Sequence, residues 1–120
     1  MAGWKKNTGK PKKNKYNAKK TPYNGHLYDS KKEAAYAKTL DLLRNAEGDS
    51  KVLDVERQVV FKCNVNGKHV CRYILDFKVT YPDRVEYIDV KGYKKGTAYQ
   101  MFRLKKKLVE ALFEINIIEV

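Results

Sequence analysis

Polar and apolar residues change their period several times along this chain, and each change marks an element. Residues 1–22 are lysine, asparagine, glycine and proline without a sustained period, which predicts an arm that is disordered until bound. Residues 23–29 lead into a helix. Ser30 followed by Glu33 has capping-box spacing, apolar residues at 34, 37, 40 and 43 continue at helical period, and Gly48 supplies a stop. From 52 to 65 the period falls to two, with Val55, Val59, Phe61, Cys63 and Val65 among the apolar positions. Asn66-Gly67 is a hairpin signal. A second strand over 69–80 then places Cys71, Tyr73, Leu75, Phe77 and Val79 on one face and Arg72, Ile74, Asp76 and Lys78 on the other. Tyr81-Pro82-Asp83-Arg84 reads as a turn and residues 85–91 as a third strand. After the loop GYKKG, a second helix is expected over 98–113 with Met101, Leu104, Leu108, Ala111 and Leu112 on its core stripe. Residues 115–120 form a last strand, apolar on both faces as in a strand covered from both sides, with Glu119 at a frayed end.

The order is helix, three strands, helix, strand. Short turns make the first three strands an antiparallel meander, and the helical crossover makes the last strand a parallel partner in the same sheet. The expectation is a mixed α/β domain over 23–120, with one helix on each side or end of the sheet, behind a basic arm over 1–22. A chain of 120 residues that is 42% apolar suits one domain with a modest core.

Charge separates the arm from the body. Residues 1–20 hold eight lysines and no acid, so of the formal +12 only +4 belongs to residues 21–120. Such an arm binds polyanions or solubilises, and nucleic acid is the favoured partner. Trp4, Tyr16 and Tyr23 are candidates to stack on bases. The chain has no run of 18 apolar residues and no signal-peptide core, which argues against a membrane partner and for a cytoplasmic location. Cys63 and Cys71 flank the hairpin turn. A two-residue turn would pair Cys63 with Val70, whereas a three-residue loop would set the cysteines opposite each other; two reduced strand cysteines fit better than a zinc site.

The chemistry concentrates in YIDVKG. Alternation puts Tyr87, Asp89 and Lys91 on one face of the third strand and Ile88 and Val90 on the other. Antiparallel pairing through the turn at 82–83 sets Asp76 across from position 89. Two ionised carboxylates side by side repel, and a divalent cation removes the repulsion; hard oxygen donors suit Mg²⁺. A surface ion pair between Asp89 and Lys91 is the plainer explanation of this motif, but it leaves Asp76 unexplained. Glu33 starts the core-facing stripe of the first helix with Ala37, Leu40 and Arg44, and it has two readings: third acid of the site, or capping residue for Ser30.

These residues resemble those of PD-(D/E)XK nucleases: Glu33 in DSKKEA on the first helix, Asp76 in YILDF on the second strand, Asp89 and Lys91 in IDVKG on the third. The likeness covers roughly residues 25–120 and is greatest to small phage-encoded members and Holliday-junction resolvases. Leu75 stands where the family pattern has proline. The resemblance implies a restriction-endonuclease-like core and a metal-dependent endonuclease that hydrolyses DNA phosphodiester bonds, with branched DNA or Holliday junctions as a structure-selective substrate. It implies Mg²⁺, with Mn²⁺ as a substitute, held by Asp76, Asp89, the Val90 carbonyl and Glu33. Lys91 would then orient or deprotonate the attacking water. Lys94 and Lys95 would grip the strand near the cut, and Gln100, Arg103 and Lys107 would contact DNA from one stripe of the second helix, while Lys105 and Lys106 read as a plain solvated face. A resolvase cuts twice, which would require a homodimer. If the chain is phage-encoded, its place is the host cytoplasm. The Glu56-Arg57-Gln58 stretch is similar to a segment of transposon-end nucleases, with no role assigned. The alternatives are a non-catalytic nucleic-acid-binding protein working through the arm, and a small ribosome- or RNA-associated protein.

Overall fold

The computed structural model describes residues 20–92 and 94–120. The expected arm, including Trp4 and Tyr16, lies outside the described residues except at its last positions. There the chain already forms a hairpin that the sequence reading did not predict. β1 (Thr21–Tyr23) pairs with β2 (His26–Tyr28) around Asn24 and Gly25, both of positive φ. Asn-Gly is the pair a tight hairpin turn favours, because neither residue strongly resists left-handed backbone. Tyr23 joins this hairpin to the first helix by donating its hydroxyl to Asp41 Oδ2 at 2.7 Å.

Helix α1 (Lys31–Leu43) begins as expected: Ser30 Oγ accepts the Glu33 N–H at 3.1 Å. Its buried face is Glu33, Ala34, Ala37 and Leu40. The helix ends before the predicted stop, with Arg44 as its C-cap, and Gly48 (φ 68°) instead opens a 3-10 turn over Gly48–Ser50.

The main sheet has strand order β3-β4-β5-β6: β3 (Asp54–Val65), β4 (Lys68–Thr80) and β5 (Val85–Asp89) form the antiparallel meander, and β6 (Ile117–Glu119) joins β5 in parallel. The mixed sheet and its order are those expected. Asn66 (φ 51°) and Gly67 (φ 77°) make the two-residue turn. The register then shifts between Cys63 and Asn64, leaving Val70 as the extra residue, so Cys63 faces Cys71 after all. Both thiols are free.

Pairing of β3 with β4 runs from Asp54↔Thr80 to Arg57↔Phe77, skips Gln58 and Asp76, and resumes at Val59↔Leu75. Gln58 has φ 53°, left-handed backbone in the middle of a strand. The apolar face changes sides there. Phe77, Val79 and Ile88 pack with Ala34, Ala37 and Leu40 of α1. Lys78 and Tyr87, the next pair along, face the other way. A regular strand would send Leu75 and Tyr73 toward α1. They pack instead with Phe102 and Val109 of α2 (Gly96–Phe113). The single apolar face expected for Cys71 to Val79 is therefore divided between two helices on opposite faces of β5.

The packed side of α2 also differs from the expected stripe. Phe102 and Val109 are its buried residues, with Tyr99 and Leu108 partly buried in the same cluster. Met101 is 52% exposed and Leu104 63% exposed, with Ala111 and Leu112 also exposed. Residues 99, 102, 106 and 109 follow helical spacing as well as the predicted set does, and the partner surface selects between them. In β6, Ile117 is buried, Ile118 is exposed, and Val120 continues the ladder by bonds to Asp89 and Lys91. Among the described residues no helix is long and apolar enough to cross a membrane. The two sides of α2 make distinct predictions. Phe102→Ala should cost about 3 kcal/mol or more in urea unfolding, and Leu104→Ala no more than about 0.5 kcal/mol; the reverse order would restore the predicted stripe.

Candidate active site

The site forms where the β3–β4 ladder is interrupted and β5 ends. The register Phe77↔Ile88 carries on to bring Asp76 across from Asp89, as alternation predicted. Asp89 is 2% exposed. Asp76 Oδ2 accepts the Val90 N–H at 2.8 Å, and Asp89 lies near enough to raise the Asp76 carboxyl. The Tyr73 hydroxyl donates to Asp89 Oδ2. Tyr73 comes from the α2 side of β4 and reaches Asp89 only because the strand changes sides at Asp76.

Lys91 lies beyond Asp89 on the same face. Its Nζ is 3.5 Å from Asp89 Oδ2 and 3.8 Å above the Phe102 ring, so one cation is held between a carboxylate and an aromatic face. Its backbone is fixed by the N–H to Val120 O and by a bond from Lys32 Nζ to its carbonyl at 2.7 Å. Glu119, expected at a frayed end, is instead built into the site's border. Tyr99 donates to Oε1 at 2.7 Å and Lys106 to Oε2 at 3.0 Å, so Lys106 is not a plain solvated residue.

Glu33 arrives from α1 and is 5% exposed. Gln58 Nε2 donates to its Oε1 at 3.4 Å. Its backbone N–H serves the Ser30 cap, and its carboxylate takes a backbone hydrogen bond from Asp29 at the helix start as well as the Gln58 amide, so the side chain serves both readings. Arg57 lies on the α1 side, with its guanidinium 4.4 Å above the Tyr28 ring and Nη1 2.9 Å from His26 Nδ1.

The acids feel their burial and one another. Burial first, then the hydrogen bond and charge of Asp89, push Asp76 up to about 9, against the lowering effect of the Val90 N–H. Glu33 is raised, chiefly by burial and then by the Asp29 charge, with a backbone hydrogen bond from Asp29 and the Arg57 charge opposing and Asp89 adding to the rise. Burial and the adjoining Asp89 raise the Tyr73 hydroxyl, so it stays a donor. Glu119 goes the other way: burial would raise it, but the hydrogen bonds from Tyr99 and Lys106 hold it low.

Among the described residues no set of three His, Cys, Asp or Glu groups converges as a metal cage. The arrangement that best fits a cation is the Asp76–Asp89 pair, two carboxylates of hard oxygen donors, one buried and one half-buried, that do not readily ionise together. The predicted DNA contacts are less tightly drawn in. Lys94 and Lys95 are exposed beside the site, and the Lys94 charge reaches Glu119. Gln100, Arg103 and Lys107 are exposed on α2; Arg103 flanks Tyr99, whose hydroxyl feels its charge, while Gln100 and Lys107 lie farther round the helix.

A family model described as "Protein of unknown function (DUF1064)" matches residues 13–118. The chain belongs to the DUF1064 family. No curated protein and no solved structure matches it. In this DUF1064 chain the matched span holds all four residues, Glu33, Asp76, Asp89 and Lys91, together with two that sequence reasoning does not single out, Tyr73 and Phe102, and with Gln58, noted in the Glu56-Arg57-Gln58 stretch without a role. Tyr73 and Phe102 give only the signal of ordinary core residues. Beside Gln58 the alternation does break, with Arg57 in the odd series and Val60 in the even one.

The raised carboxyl at Asp76 has a consequence for stability. The folded chain keeps a proton there that the unfolded chain releases near the ordinary aspartate pKa of about 4. Stability from this group is therefore full below about pH 4 and declines as pH rises toward about 9. Asp76→Asn should raise stability at pH 7 by on the order of 1 kcal/mol or more. It should also flatten that decline, as read from urea unfolding across pH; an unchanged slope would show that the pair is not strained.

Proposed function

We propose that this protein has a restriction-endonuclease-like core and is a metal-dependent endonuclease that hydrolyses DNA phosphodiester bonds. One observation carries the reading: the register sets half-buried Asp76 across from buried Asp89, with the Lys91 ammonium 3.5 Å from Asp89. A merely structural ion pair needs only Asp89 and Lys91, and the single Val90 N–H that Asp76 accepts leaves its other carboxylate oxygen for a ligand.

In this reading Asp76 and Asp89 hold Mg²⁺, or Mn²⁺ in its place, with the Val90 carbonyl as a further donor and Glu33 at the margin of the site. The cation would neutralise phosphate oxygens and lower the pKa of water. The chain's own groups do the rest. The Val90 N–H and Tyr73 hydroxyl each fix one carboxylate, so the pair is oriented before any ligand arrives. Phe102 and Asp89 hold the Lys91 ammonium, which orients the attacking water and stabilises charge developing on the phosphorane. Gln58 keeps Glu33 directed at the pair from the opposite face. Lys94 and Lys95 bind the strand beside the cut, and Gln100, Arg103 and Lys107 extend the contact along α2.

Among the described residues no element presents itself as a reader of base edges, which favours selection by DNA structure, with branched DNA as the first substrate to try. One chain carries one carboxylate pair, so paired symmetric cuts would take two copies.

The test is cleavage of linear, nicked and four-way-junction DNA with Mg²⁺ or with chelator. Wild type should cut only with the metal and should prefer the junction. Asp89→Ala and Lys91→Ala should each lower the single-turnover rate by about a hundredfold or more. DNA binding without cleavage by wild type would favour the non-catalytic reading, and equal rates for wild type and Asp89→Ala would end the nuclease reading.

A further inference from the structure

The β3–β4 hairpin is longer than the sheet it belongs to. β5 pairs with β4 only over Phe77 to Thr80, so everything beyond Gln58 and Asp76 projects as a two-stranded ribbon. Its odd-numbered side chains pack with α2. Its even-numbered side chains are left uncovered: Val60 is 46% exposed and its cross-strand partner Ile74 is 42% exposed. The next pair outward on that face is Lys62 opposite Arg72, both exposed. Among the described residues neither has an acidic partner. Like charges directly opposite in an antiparallel pair destabilise it, so this pair weakens the ribbon unless an anion lies over it.

We infer that the uncovered face of this ribbon is a docking surface for the phosphate backbone of a nucleic-acid strand leading to the carboxylate pair. This rests on the nuclease reading of Asp76 and Asp89 for the word "leading", and on the ribbon alone for the docking. The charge sign selects a polyanion. The position selects an extended one, because Arg72 lies four residues along β4 from Asp76, about 13 Å at strand rise, or roughly four nucleotides of helical advance. Val60 and Ile74, between the charged pair and the acids, offer an apolar floor against which sugars and bases can rest while Lys62 and Arg72 take a phosphate. The acids at the root of the ribbon repel the backbone, and the basic pair farther out holds it in register.

The test uses the full chain, with binding to a four-way junction and a linear duplex measured in chelator between about 50 and 200 mM salt. Lys62→Glu and Arg72→Glu should each weaken binding about tenfold or more. Each should also reduce the slope of log affinity against log salt by about 0.9, the share of one phosphate contact. Lys38→Glu removes the same charge from an exposed position on α1 and should change affinity less than twofold. Lys62→Glu leaves Arg72 opposite an acid, so its melting temperature should hold or rise while its binding falls, a split that a misfolded variant would not give. Binding by Lys62→Glu and Arg72→Glu no weaker than by Lys38→Glu would overturn the ribbon surface, even if wild type cleaves DNA. Weakened binding in a protein whose wild type never cleaves would uphold the surface and remove the nuclease reading. A wild type that binds no DNA would overturn both.

Discussion

The arrangement of the whole domain turns on the interruption of the ladder at Gln58 and Asp76. Pleated strands alternate strictly, so a strand that faces α1 at Phe77 faces it again at Leu75 unless the backbone departs from the β region. Gln58 makes that departure, with φ 53°. Left-handed backbone at a non-glycine residue costs about 1–2 kcal/mol. Fully buried side chains on both sides of the interruption, Leu75 beyond it and Phe77 and Val79 before it, offset that cost. One meander thereby carries two cores, and α1 and α2 occupy opposite faces without a longer sheet. Asp76 stands at the crossing. Its carboxylate accepts the N–H of Val90, the residue just past the end of the neighbouring strand.

The electrostatics of the site follow from that placement. Taking a carboxylate out of water costs several kcal/mol, and a second carboxylate alongside adds to it. A hydrogen bond to a charged group returns about 1.5–3 kcal/mol. Asp76 has one such donor in Val90, and Asp89 has Tyr73 together with a lysine 3.5 Å away. Asp89 is thus the better compensated of the two, and the deficit falls on Asp76, whose carboxyl rises to about 9. A pair left in that condition holds a proton or welcomes a cation. Glu119, which shares the α2 side of β6, shows the contrast: two direct donors settle its charge, and it has no need of either.

Much of this was legible because it depends on local signals. The Ser30 cap, the Asn66-Gly67 turn and the antiparallel register that sets Asp76 across from Asp89 each follow from a few adjacent residues. The choice of buried face on α2 was not legible, since the helix has more apolar residues than the sheet can cover and both candidate stripes keep helical spacing. The β1–β2 hairpin was overlooked although Asn24-Gly25 announces it, because Pro22 and strands of three residues each leave little periodicity to read. Tyr73 was assigned to the core by parity, and parity does not survive the left-handed residue at Gln58. The left-handed backbone at Gln58, which the sequence did not declare, marks the place where a core tyrosine reaches Asp89.

Glu33 shows how a single residue can belong to both levels. A reciprocal capping box would commit its carboxylate to the helix terminus. Here Ser30 takes the Glu33 N–H, and the carboxylate accepts both from the Asp29 backbone at the helix start and from Gln58. The same side chain therefore serves the helix terminus and the border of the site. The N-terminal turn of α1 lies next to the acids, where the positive end of the helix dipole favours negative charge by about 0.3–1 kcal/mol. The residue that interrupts the sheet also donates to Glu33, so the break in the ladder and the start of the first helix meet at one carboxylate.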